Sequence, residues 1–240
     1  MKSPLDPDAT VDFVQHVRSL IDSVRMVENA SFRKALYLIL TDALSTLRFP
    51  DYRSPGNRFV NFVNTYGGWV DCDRVSLPQA DLLLNDTKKG DATLAAVVSG
   101  RLAQWPDGKV VDLSSDPFPN ELPDPMGVLR DCQHGRLLWA MRNTLLHEFR
   151  HPGYSFEGMS PGRDGPYYHQ THFVEGALAG QIGWELVVPD RFLERLALRC
   201  LDGLVAWFRS EQIDPRLIGY QGRSWVTRLR RLNPEAAGGE

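Results

Sequence analysis

The stretch FRKALYLILTDALSTLRF, residues 32–49, decides the fold class. Apolar side chains cover most of its helical circumference, and the run stops before Pro50, which cannot continue a helix. A helix with so broad an apolar arc belongs in the middle of a bundle. Asn29 or Ser31 can cap its start. Upstream, Val11, Phe13, Val14, Val17, Leu20, Ile21 and Val24 recur at steps of three and four, predicting a helix from Asp8 to about Val27. Downstream, Pro55 opens another candidate, NRFVNFVNTY, which Gly67-Gly68 closes. Shorter helices are expected at Leu77–Leu84 and Asp91–Trp105. PDGKVVDLSSDPFPNELPDP, rich in Pro, Asp and Ser, reads as a long surface loop.

A further helix is expected from about Met126 to Arg150, ended by Pro152-Gly153. After the Gly/Pro-rich YSFEGMSPGRDGP come PYYHQTHFVEG and GQIGWELVVP, two aromatic and β-branched runs joined through GALAG. They read as a β-hairpin over about 166–189. DRFLERLALRCLDGLVAWFRS, with Asp190 as a cap, is the last long helix. The expected architecture is mainly α: a helical bundle over residues 1–215 with a small β-hairpin before its final long helix. Residues 216–240 form a basic tail.

Composition excludes several classes. A hydrophobic share of 42% and a charged share of 24% suit an ordinary globular chain rather than a disordered one. No apolar run approaches the roughly 20 residues a spanning helix needs, and MKSPLDPDATVDF has no apolar signal core. Cys72, Cys132 and Cys200 lie far apart without CxxC spacing, which favours neither a disulfide framework nor a cysteine zinc site. A reducing cytoplasm is the expected setting. The net charge of −3 hides an uneven distribution. Acidic residues gather between Asp107 and Asp124, while Arg216–Arg231 carries five arginines and no carboxylate. Such a tail is either a phosphate-binding arm or a solvated end.

Two overlapping patterns occupy HGRLLWAMRNTLLHEFRHPG, residues 134–153. His147-Glu148-x-x-His151 fits HExxH, in which two histidines one turn apart hold zinc and the glutamate is a general base. His151 stands immediately before Pro152, at a helix end, and Arg150 places a cation between the two ligands. A third ligand would have to come from Glu157, His169 or His172. The second pattern is Arg142-Asn143-x-x-x-His147. At about 100° per residue, Leu138, Met141, Leu145 and Phe149 form the core-facing stripe. Arg142 falls beside that stripe, where a guanidinium must find a carboxylate, a phosphate or an interface. Asn143 and His147 share the opposite face with Arg150 and His151. On spacing alone this is equally a surface helix with solvated polar groups.

Arginine, a polar residue, then histidine four to six residues on is the signature of HEPN domains, and RNTLLH fits it without a departure. LLWAMRNTLLHEFR resembles that family's motif helix. The wider run, with ALYLILTDALSTLRFPD, NRFVNFV, PYYH and WELVVP, is similar to bacterial HEPN-like proteins. The resemblance implies a metal-independent endoribonuclease, often of a defence, abortive-infection or toxin–antitoxin system, with a composite site where two motif helices meet in a homodimer. It implies RNA as substrate, no cofactor, no metal, and a possible neutralising partner. Arg142, Asn143 and His147 are then the catalytic set. His147 suits proton transfer near neutral pH and Arg142 suits a scissile phosphate. Arg150, His151, Tyr168 and His169 are candidate substrate contacts, either by polar contact or by stacking. A non-catalytic RNA- or protein-binding module and a zinc peptidase are the alternatives. Gly158-Met159-Ser160-Pro161-Gly162 fits G-x-S-x-G, but its Gly/Pro-rich flanks make it a turn.

Overall fold

The computed structural model describes residues 7–87, 92–108, 110–148, 162–172 and 182–218. They are mainly helical, with a small three-stranded antiparallel sheet. The helices are α1 (Pro7–Arg25), α2 (Ala30–Arg48), α3 (Pro55–Tyr66), α4 (Leu77–Thr87), α5 (Ala92–Leu102), α6 (His134–Asn143), α7 (Asp190–Ser210) and α8 (Pro215–Ile218). The strands are β1 (Val111–Asp112), β2 (Tyr167–His172) and β3 (Ile182–Val187). Among the described residues no helix is long and apolar enough to cross a membrane.

As its apolar arc requires, α2 is the central helix, touching α1, α3, α6 and α7. Tyr37, Leu38 and Leu44 are buried on it, facing Leu193, Leu201, Leu204 and Phe208 of α7 in one core. Asn29 is the cap: its side-chain oxygen accepts from the Phe32 N–H. Ser54 caps α3 in the same way, ahead of Pro55. At the far end of α3, Gly67 lets α7 approach, since a Cβ there would lie 2.6 Å from Leu196 Cδ1. A second apolar cluster joins α4 and α5 to Val75, Leu122, Leu129 and Cys132.

Three local expectations are corrected. The first is the surface loop after α5. It contains β1, and Val111, Leu113, Asp116 and Leu122 are all buried. Its Pro, Asp and Ser mark where the chain turns, in the short helical turns Leu113–Ser115 and Pro119–Glu121, and say nothing about exposure. The second is the start of the motif helix, which lies at His134 rather than about Met126. Gly127 has φ 65, Val128–Cys132 is a 3₁₀ turn, and Gln133 is extended. The Asp124 carboxylate accepts from the N–H groups of Val128 and Leu129, locking that break. The third is Asp190, which is not a cap. Pro189 holds the cap position, and Asp190 accepts from Arg33 of α2.

The hairpin lies where the aromatic runs put it. β2 and β3 pair from Tyr167 with Val187 to His172 with Ile182. β1 adds a short third strand, Val111 opposite Tyr168.

Candidate functional site

Arg142 ends α6, and Leu138, Met141 and Leu145 beneath it are buried as the helical stripe requires. Its guanidinium finds the carboxylate its position demands: Nη2 donates to Asp42 Oδ2 of α2 at 2.9 Å. Arg58 of α3 donates to the other oxygen of the same carboxylate at 3.0 Å, and its Nε donates to Ser45 Oγ at 3.1 Å. Two cations therefore share one anion, and the cluster keeps a net positive charge. All three side chains are half-buried or more, at 19%, 12% and 14% exposure for Arg142, Asp42 and Arg58. Partial desolvation strengthens each charge-assisted bond relative to water. The Arg142 guanidinium also lies 5.0 Å from the Trp139 ring centroid, while its buried Nε has no hydrogen-bond partner among the described residues.

Asn143 joins this group, accepting from Arg142 Nη1 at 3.1 Å. No hydrogen bond links either residue to His147. His147 stands exposed on Thr144–Glu148, a single π turn that continues α6. In a straight α-helix, residues five apart differ by about 140° around the axis. A π turn takes up an extra residue per closure, so its rotation per residue is smaller and the angle between Arg142 and His147 is less than that. The sequence reading placed Arg142 and His147 on different faces of an α-helix. The π turn narrows that separation, and such turns recur at functional sites.

Of the other candidates, Arg150 and His151 lie outside the described residues, as does Phe149 of the apolar stripe. So does Glu157, and no group of His, Cys, Asp and Glu able to hold a metal occurs among the described residues. Tyr168 is buried at 1% exposure, its hydroxyl donating to Asp116 Oδ2 at 2.7 Å, which removes it from any surface where RNA could stack. His169 is half-buried on β2, with Nδ1 3.4 Å from the Thr171 hydroxyl.

Two groups of polar residues were missed from sequence. Asp42 with Arg58 is one. Its only signal is a lone carboxylate inside the apolar run of α2, which has to be neutralised by something. The other is a buried knot around Asp116. Its Oδ2 lies 2.8 Å from His134 Nε2, its Oδ1 accepts from the Leu77 N–H at 2.9 Å, and its backbone carbonyl accepts from Arg74 at 2.6 Å. Burial, with the nearby Asp116 charge second, raises the Tyr168 hydroxyl well above its usual pKa, so it stays a neutral donor. The knot ties the segment before α4, the loop carrying β1, α6 and β2 together, and so fixes the base of the motif helix.

The fold is thus that of a mainly α domain carrying a small antiparallel sheet, with a cationic cluster and an exposed histidine on one helix. Neither a protein-family model, nor a curated protein, nor a solved structure matches the chain.

Proposed function

We propose that the protein is a metal-independent endoribonuclease of HEPN type, with Arg142, Asn143 and His147 as its working residues and no cofactor. The observation that carries this reading is the pairing of a net-positive Arg142–Asp42–Arg58 cluster with an exposed His147 on a π turn of the same helix. The cluster would hold the scissile phosphate and offset the charge that develops on it. Asn143, fixed by Arg142, would hydrogen-bond the substrate. His147 would take the proton of the ribose 2′-hydroxyl as that oxygen attacks phosphorus. The 5′-oxygen then leaves with a proton from a second imidazole, giving a 2′,3′-cyclic phosphate and a free 5′-hydroxyl. Requiring the 2′-hydroxyl confines the reaction to RNA.

Among the described residues each chain brings one such histidine, so an acid and a base together call for two copies. The outward face of α2 supports pairing. Phe32, Leu36, Ile39, Ala43 and Thr46 follow a four-three-four-three spacing and are all exposed, the first three at 56%, 37% and 37%. No charged residue interrupts them, because Arg33 and Asp42 of the same helix are turned into ion pairs. Two copies of α2 laid antiparallel set the bulky end of one stripe against the small end of the other, as knobs-into-holes packing requires. Asp42 sits beside this stripe, which would bring two motif helices close. A cytoplasmic defence or toxin–antitoxin role, with a neutralising partner protein, fits an RNA-cleaving activity of this kind.

The test is incubation of the purified protein with mixed RNA in EDTA, beside His147→Ala, with product ends read by mass spectrometry. Cleavage to cyclic phosphates by the wild type alone is expected. Equal behaviour of the two proteins leaves an RNA- or protein-binding module. Peptide hydrolysis with stoichiometric zinc, abolished by the chelator, makes His147-Glu148-x-x-His151 the site instead.

A further inference from the structure

A cleft of about 350 Å³ opens between the end of α3, β1 and the first half of α7, and none of the motif residues lines it. The volume is that of a small-molecule site. Its apolar side is built from Trp69, Leu113, Phe192 and Leu196. Trp69 is held rigidly, edge-to-face on Phe192 at 5.0 Å between ring centroids and 6.2 Å from the His134 ring. Its indole Nε1 is buried and has no hydrogen-bond partner among the described residues.

The mouth is charged, and the charges do not cancel. Asp71 and Asp112 line it, but each carboxylate is committed to an arginine beside it, Arg74 and Arg163. Arg195 is paired with Asp164 at 3.1 Å. Arg199, one helical turn further along α7, has no carboxylate partner among the described residues. Its Nη1 donates only to the neutral Gly68 carbonyl, at 3.3 Å. Gly68 has φ +57, a conformation that favours glycine, and the missing side chain leaves the backbone open beside that guanidinium.

We infer that this cleft binds a small organic anion with a planar apolar body, its phosphate or carboxylate seated on Arg199 and its ring system against Trp69 and Phe192. The anionic group supplies the partner that Arg199 lacks, and Arg195 can turn from its exposed partner toward the same charge. The body displaces water from the apolar wall formed by Trp69, Leu113, Phe192 and Leu196.

Calorimetric titration of the full chain tests this with two anions, adenosine monophosphate and indole-3-acetate. Their neutral counterparts, adenosine and indole-3-ethanol, serve as controls. The expected result is saturable one-to-one binding of at least one anion. It should bind at least tenfold more tightly than its counterpart and be weakened tenfold or more by Arg199→Ala. Arg199→Lys should restore part of the affinity, and a melting temperature equal to wild type shows that the variants fold. The inference is overturned if neither anion binds up to millimolar concentration, if the neutral compounds bind equally well, or if Arg199→Ala binds as wild type does. RNA cleavage by Arg199→Ala should equal that of wild type, so this inference and the nuclease reading fail separately.

Discussion

Replacing Asp42 by Asn tests the centre of the proposed site. The substitution keeps the size of the side chain but removes the charge that Arg58 and Arg142 share at 3.0 and 2.9 Å. An amide has one acceptor oxygen, so one guanidinium loses its partner and faces an NH₂ group instead. A hydrogen bond to a charged group contributes about 1.5–3 kcal/mol, and stripping one partner from a fully buried pair costs roughly 3–5 kcal/mol. With 12–19% of these side chains still exposed, water recovers part of that loss. The expected destabilisation is about 2–4 kcal/mol, or roughly 5–15 °C in melting temperature for a chain of this size. Urea denaturation followed by circular dichroism measures it. Adding Arg142→Met removes the stranded cation and should recover part of the loss, giving a coupling of about 1–2 kcal/mol between the two positions. RNA cleavage should fall in Asp42→Asn, because Arg142 loses the bond that aims it. Strict additivity in the cycle, or a midpoint unchanged by Asp42→Asn, would refute the shared-carboxylate account.

Gly203→Ala should destabilise by about 1–3 kcal/mol although alanine favours helices, because overpacking outweighs a propensity gain of at most about 1 kcal/mol. Its Cβ would lie 2.6 Å from Tyr66 Cδ1, and Tyr66 is held by Arg48 Nε on its hydroxyl at 2.7 Å; a raised melting temperature contradicts this. Ile39→Glu puts a charge in the middle of the α2 stripe and should leave a folded monomer in light scattering, where the proposed pairing gives a dimeric wild type. An unchanged mass removes α2 from the interface. Alkaline pH should unfold the protein early. Burial pushes the Cys132 thiol up to about 11 and the Cys72 thiol to about 12, and burial followed by Glu194 pushes Tyr37 to about 12. A group whose pKa is raised on folding stabilises fully below its unfolded value and loses that contribution as pH rises toward the folded one. The urea midpoint should hold to about pH 9 and fall from there toward pH 11, with native thiols slow to react with disulfide reagents at pH 8. A flat profile to pH 11, or rapid thiol reaction, counts against these burial effects.

The sequence by itself determined the periodic elements. In α1, α2, α3 and α7 the apolar spacing, the Asn29 cap, Pro55 and Gly67 are local signals, and a local signal needs no partner to be read. The hairpin was legible for the same reason, since aromatic and β-branched runs mark strands wherever they pack. The motif residues were legible too, but only as a pattern. What each residue touches was decided by the tertiary structure, because ion pairs and burial join segments far apart in the chain. Asp42 meets Arg142 a hundred positions later. Asp116 looked like part of an exposed loop until His134 and Tyr168 closed over it. Tyr168 looked available for stacking until the core enclosed it. The π turn under His147 is equally invisible in a helical projection, which assumes one constant rotation per residue. That smaller rotation per residue makes the angle between Arg142 and His147 narrower than the projection gives.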